Sequence, residues 1–257
     1  MTVDPYVAKE TDEWAIVFKP HGMPSAPLTE GEKGTLVSWF VARYPDADSV
    51  LGIKPVERGL VHRLDTATEG LVLLAKRQSC YDSLRESQKN GLIVKKYVAF
   101  CSRNADGRFP IAEKLPFTIE SEFRAWGPGR KEVRPVFPGD RGYSGTERAY
   151  KTIIVDMNES SGATEQIKDC GFDYLSPVIS VTCCLIAGFR HQIRAHLAFS
   201  GFPIMGDPIY HPLWKENAAG ELSTIPLQLH ATEISFPDPI RGETVAFSLQ
   251  RPDRMSL

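Results

Sequence analysis

The residues most able to do chemistry in this chain sit together in His62-Arg63-Leu64-Asp65. An almost wholly apolar run, Leu71 to Ala75, follows at once and predicts a buried strand. Folding alone does not require a His-Arg-x-Asp cluster on the lip of a core strand, whereas an active site places a reactive group on a loop anchored by a rigid element. A carboxylate with a reference pKa of ~3.9 is ionised at neutral pH and can act as a nucleophile or a base. To stay ionised in a partly dry pocket, Asp65 needs a fixed cation nearby.

Two further stretches supply matching groups. Gly188-Phe189-Arg190-His191-Gln192-Ile193-Arg194-Ala195-His196-Leu197 carries two arginines at the start of a predicted helix. A planar guanidinium can clamp a carboxylate through two parallel bonds and stays charged at any relevant pH. Side chains and free N–H groups at such a helix start can meet a phosphate or a base. His196 reads as helix packing. Lys95-Lys96-Tyr97 adds two cations and an aromatic face on a predicted strand. An aromatic ring suits a base taken out of an RNA stack, although a strand tyrosine in a core is equally ordinary.

Read together, these strings resemble the RluA-type pseudouridine synthases, whose signature runs His-Arg-Leu-Asp, then Thr-Ser-Gly and an aliphatic strand. The resemblance implies that Asp65 is the catalytic residue, that Arg194 is its partner, and that Tyr97 stacks on the target base. It implies substrate contact from Arg63, His62, Arg190, His191, Gln192 and Lys96. Lys19-Pro20-x-Gly22, the segment Gly201 to Tyr210, and Leu229-His230-Ala231 with Phe236-Pro237 match supporting segments of the family. The implied reaction breaks the uridine C1′–N1 bond and rejoins the uracil through C5. It needs no metal and no other cofactor, and its partner is ribosomal or transfer RNA, with no membrane and no DNA. The chain departs from the family pattern at Glu69, where Ser is usual, at Phe189 in place of Arg, and at Arg190 in place of Thr. Those departures motivate an alternative reading, an RNA-binding or ribosome-assembly protein of the same fold without catalysis. A metal-dependent hydrolase built from His62, Asp65, His191 and His196 lacks any H-E-x-x-H or C-x-x-C spacing.

The elements that must position these groups read as follows. Residues 14–18 predict a strand, ended by Pro20 and Gly22. Residues 35–44 predict a helix with Thr35 as N-cap and Pro45 as stop. A helix from Cys80 to Gln88 and strands at 71–75, 93–101, 149–156, 175–186, 226–236 and 244–249 follow the same logic, as does a helix at 191–199. Residues 103–148 read as irregular, with short strands and loops. Residues 157–173 and 211–224 read as surface insertions, and 1–13 as a short extension with no separate N-terminal RNA-binding module. Strands that do not alternate regularly with helices favour an α+β fold around a largely antiparallel mixed sheet. Residues 1–257 are expected to form a single catalytic domain, acting as a monomer.

Bulk properties narrow the classes. The net charge is −2, so the chain is not a generally basic nucleic-acid coat, and any RNA-binding charge must gather on one face. Arg124, Arg130, Lys131, Arg134, Arg141, Arg148 and Lys151 do fall in one stretch. Five cysteines without a C-x-x-C argue for free thiols in a reducing cytoplasm, and no apolar run approaches the ~20 residues that span a bilayer.

Overall fold

The computed structural model describes residues 3–103, 107, 114–145, 148–169, 177–216 and 225–250. They divide into two compact units, one formed by the chain up to Lys95 with His230–Leu249, the other by Lys96–Leu229. The fold is α+β and its sheets are mostly antiparallel, as expected.

In the first unit the strand order is β1(Tyr6–Glu10), β2(Trp14–Lys19), β3(Glu69–Ala75), β9(Leu229–Pro237), with β10(Thr244–Ser248) also paired to β9. All neighbours are antiparallel except β3 and β9, which pair in parallel through Glu69 opposite His230 and Gly70 opposite Ala231. Close approach explains the glycine. Gly70 has φ +121, and a Cβ there would lie 2.3 Å from the Ala231 carbonyl oxygen. Helix α1(Leu36–Arg43) starts at Thr35, whose side chain accepts from the Ser38 N–H while Ser38 reaches back to the Thr35 N–H. This reciprocal cap satisfies two otherwise orphaned donors. Helix α2(Gln78–Lys89) buries Cys80, Tyr81 and Leu84 against Trp14, Ile16, Leu71, Leu73, Ile234 and Phe236.

In the second unit β4(Val94–Cys101), β8(Ile179–Leu185), β7(Tyr150–Glu159), β5(Phe117–Trp126) and β6(Glu132–Val136) follow in that order, the last four antiparallel. A core of Val98, Phe100, Val178, Met205 and Trp214 also takes in Ala163 and Ile167. Helix α4 spans Gln192–Phe199.

Several elements differ from the sequence expectation. Strand β1 lies inside the stretch read as an extension. Its exposed edge pattern carries no hydrophobic alternation, and it is held by its backbone ladder to β2. The region read as irregular contains a ten-residue strand, β5, whose polar residues Ser121 and Glu122 are buried and hide its periodicity. The stretch read as the first insertion holds the end of β7 and helix α3(Ser161–Asp169), where Ala163 and Ile167, four apart, face the core. Of the second, α5(Pro212–Glu216) buries Trp214. The remaining parts of those two insertions, 170–173 and 217–224, and Cys170 lie outside the described residues. Cys80, Cys101, Cys183 and Cys184 are buried free thiols. Among the described residues no helix is long and apolar enough to cross a membrane.

Candidate active site

Asp65 leaves the fold on a turn between Leu60, which bridges to Leu74, and β3, with the Thr68 N–H donating to the Asp65 carbonyl. The residue before Asp65 and the one after it are both pinned from the end of β2 and the chain segment that follows it. The Leu64 N–H donates to Ser25 Oγ at 3.1 Å, and Ser25 Oγ donates to the Leu64 carbonyl at 2.7 Å. The Thr66 carbonyl accepts from the Gly22 N–H at 2.9 Å and from Lys19 Nζ at 3.2 Å. A two-sided clamp of this kind fixes where the carboxylate starts from, which is what a reaction sensitive to ångström misplacement demands.

Lys19 is the unexpected member. Its string matches only a supporting segment of the family, yet its side chain is fully buried and its ammonium donates to the carbonyls of Pro20, Met23 and Thr66. Burial pushes its pKa down to about 8, while the charges of Asp65 and Glu69 push it back up. A cation is therefore built into the same unit as Asp65. Its signal in the sequence is the Lys-Pro-x-Gly string, which carries no mark of burial.

Glu69 is accounted for by a residue far along the chain. Its Oε1 meets His230 Nδ1 at 2.8 Å across the parallel β3–β9 pair. The carboxylate that stands where the family has Ser is thus engaged by an imidazole. His21 lies in the same polar cluster. It is exposed at the surface, and partial desolvation lowers its pKa; the charge of Glu69 opposes that, and Lys19 and His230 add to it.

Arg63 is exposed along most of its side chain and its Nη1 contacts Glu57 Oε1 at 3.1 Å. His62 behaves differently. It is buried, and its Nε2 accepts from the Leu73 N–H at 3.2 Å. Burial and the charge of Lys95 hold it well below its ordinary pKa, so the ring is neutral. Lys95 itself is pushed down to about 8 by burial and then by Arg85.

The second unit carries the other candidates. Tyr97 is buried in β4 and Lys96 is half-buried beside it. Arg194 on α4 is 4 % exposed and makes a two-bond pair with fully buried Asp207: Nε to Oδ2 and Nη2 to Oδ1, both 2.8 Å. The sequence reading included Asp207 only within a supporting segment and missed this role. Asp207 Oδ1 also accepts from the N–H groups of Ile209 and Tyr210, so one carboxylate shapes the turn and orients the guanidinium. The Arg194 guanidinium carbon lies 5.4 Å from the Tyr210 ring centroid.

His191 caps α4 from a left-handed conformation, φ 54, with Nδ1 3.2 Å from Tyr210 Oη. Gln192 is buried and tied to the fold: Nε2 donates to the Lys151 carbonyl and Thr152 Oγ1, and Oε1 accepts from the Phe189 N–H. Arg190 Nη2 donates to the carbonyls of Arg130 (2.7 Å) and Glu132 (3.3 Å). Phe189, an outlier in the motif, stacks on Phe123 with ring centroids 5.0 Å apart. His196 packs as expected, fully buried between Thr152 Oγ1 and Ser121 Oγ at 2.8 Å each, with burial lowering its pKa to about 3.

Residues 13–199 match the family model described as RNA pseudouridylate synthase. The chain is 29% identical over 250 residues to the uncharacterized RNA pseudouridine synthase YlyB of Bacillus subtilis, covering 96% of this chain and 69% of that protein. It is 26% identical over 255 residues to the ribosomal large subunit pseudouridine synthase D of Zymomonas mobilis, with the same two coverages. Among solved structures it is similar to human RNA Pseudouridylate Synthase Domain Containing 1, with a TM-score of 0.67 and 20% identity over 97% of this chain and 84% of that one. That likeness shows a shared fold.

Proposed function

The chain belongs to the RNA pseudouridylate synthase family, an enzyme family of RNA modification, and from that premise we propose that it isomerises a specific uridine of structured RNA through Asp65. In this reaction C1′–N1 breaks, C1′–C5 forms, the C5 proton leaves to water and N1 takes a proton, so no electron donor or acceptor enters. The observation that carries the reading is the two-sided clamp on Leu64 and Thr66, which holds a single carboxylate inside the matched segment. Asp65 performs the bond chemistry, either by attack on C1′ or the base or by removing a ribose proton. Arg194, oriented by Asp207, is its cation, and Tyr97 stacks on the uracil. Arg63, Lys96 and His191 contact the RNA. Arg63 also helps hold the flipped nucleotide, whose extrusion costs a few kcal/mol. His62, Arg190 and Gln192 support the site, since each is anchored to the fold, through Nε2 of His62, Nη2 of Arg190 and the side-chain amide of Gln192. The name of the Zymomonas mobilis relative makes large-subunit ribosomal RNA the first substrate to test, with transfer RNA the second. We place the protein in the cytoplasm, acting as a monomeric catalytic domain.

The test is release of tritium to water from RNA labelled at uracil C5, comparing the wild type with Asp65→Asn. Release by the wild type alone, with RNA binding retained in both, is the expected result. Equal release from both proteins, or none from unmodified RNA, overturns the proposal. RNA binding without release would favour the non-catalytic alternative.

A further inference from the structure

The tip of the β5–β6 hairpin has a composition that folding does not explain. Trp126 closes β5 and is 52% exposed, while two of the chain's other tryptophans, Trp14 and Trp214, are buried. The guanidinium of Arg134 lies 4.2 Å from the Trp126 ring centroid. Register places Arg124 directly opposite Arg134, a like-charge pair that costs the hairpin stability. From Arg124 to Arg134 the sequence holds Arg124, Arg130, Lys131 and Arg134 against one acid, Glu132. That acid is shared between Lys215 at 3.0 Å and Arg134 at 4.0 Å, which leaves the stretch with a net positive charge.

The tip is also held firmly. Tyr210 Oη accepts from the Val133 N–H at 2.8 Å and donates to the Val133 carbonyl at 3.1 Å. Arg190 bonds the carbonyls of Arg130 and Glu132. Two side chains from the segment around α4 thus fix the backbone that carries an exposed indole and its cations. An aromatic face beside guanidinium groups is the chemistry that takes up unpaired bases: any base has a π-face, and its flanking phosphates need cations.

We propose that this hairpin tip is a second RNA contact, separate from the Asp65 loop, at which Trp126 stacks on an unpaired base while Arg130, Lys131 and Arg134 meet the neighbouring phosphates. The proposal deepens the RNA reading above and rests on it for the identity of the ligand. Stacking is tolerant of sequence, so the contact selects single-stranded segments next to the target and not a particular base.

The experiment uses the whole chain and a short fluorescein-labelled oligouridylate at low salt, read by anisotropy, with tryptophan emission recorded on an unlabelled oligouridylate. Trp126→Ala is expected to weaken binding about 5- to 150-fold, the range of stacking one base on an aromatic ring. Trp126→Phe should recover most of the affinity. The emission quench seen with the wild type should disappear in both variants, which a purely structural or purely electrostatic role of Trp126 would not produce. An affinity for Trp126→Ala within about twofold of the wild type, or a quench that persists in it, overturns the proposal, given that one stacked base should contribute more. So does a failure of the wild type to bind oligouridylate. Tritium release measured on the same proteins separates the two ideas. No release together with a Trp126-dependent affinity removes the proposed reaction and keeps this site. Release with a Trp126-independent affinity does the reverse.

Discussion

Replacing Asp207 by Asn should unsettle the second unit more than any other isosteric change at the site. The carboxylate takes two bonds from Arg194 at 2.8 Å, with both side chains out of water. Hydrogen bonds to charged groups contribute about 1.5–3 kcal/mol each, which gives about 3–6 kcal/mol for the two. Removing one member of a buried ion pair costs about 3–5 kcal/mol on independent grounds, so about 3–5 kcal/mol is the expected loss. The geometry says how it arises. Asp207 Oδ1 also accepts from the Ile209 and Tyr210 N–H groups, so the retained amide oxygen of Asn should stay there and turn its NH2 toward Arg194 Nε. Two donors would then face each other. For a chain of this size a loss of 1 kcal/mol lowers Tm by roughly 2–4 °C, so a fall of about 6–20 °C is expected in a thermal melt followed by circular dichroism. Because Tyr210 ties Val133 to the same turn, amide exchange at Val133 should quicken as well. A loss below about 1 kcal/mol would refute the reasoning, since even one charge-assisted bond exceeds it.

Other outcomes follow from single contacts. Gly70→Ala puts a Cβ 2.3 Å from the Ala231 carbonyl oxygen at a φ of +121, and should cost about 2–6 kcal/mol in urea unfolding, overpacking and backbone strain together. Lys19 has a folded pKa of about 8 against an ordinary 10.5, so the unfolded chain holds more protons between those values and stability should rise as pH climbs from 8 to 10.5. The rise is on the order of 3 kcal/mol and should be absent in Lys19→Met, as measured by urea midpoints across that range. His196, held near 3, is neutral in the fold while the unfolded ring protonates below about 6.5; its contribution should fade as pH drops from 6.5 toward 3. His196→Gln should therefore show a shallower acid limb than the wild type in pH-dependent melts.

Much of the fold was legible because its signals are local. Thr35 caps α1 through a residue three positions away, and Leu71 to Ala75 read as a buried strand from apolar content alone. His62 to Asp65 and Arg190 to Arg194 marked the two stretches of interest from residue type and order. What stayed hidden depends on partners distant in the chain. Whether Ala163 and Ile167 face a core or water is decided by Val178, Met205 and Trp214, so a polar-looking segment became helix α3. Lys19 looks like a solvated lysine until three carbonyls close around it. Glu69 stands out in the sequence only as an acid where the family has Ser, and its partner His230 lies 161 residues further on. The sequence by itself determined the family and most of the element order, and it singled out Asp65 as the carboxylate to test, since periodicity, caps and motif spacing act within a few residues. Only the tertiary structure decided that Asp207 orients Arg194, that His230 takes up Glu69, and that Lys19 is a buried cation, because those pairings exist only once strands and turns remote in sequence are brought side by side and water is excluded.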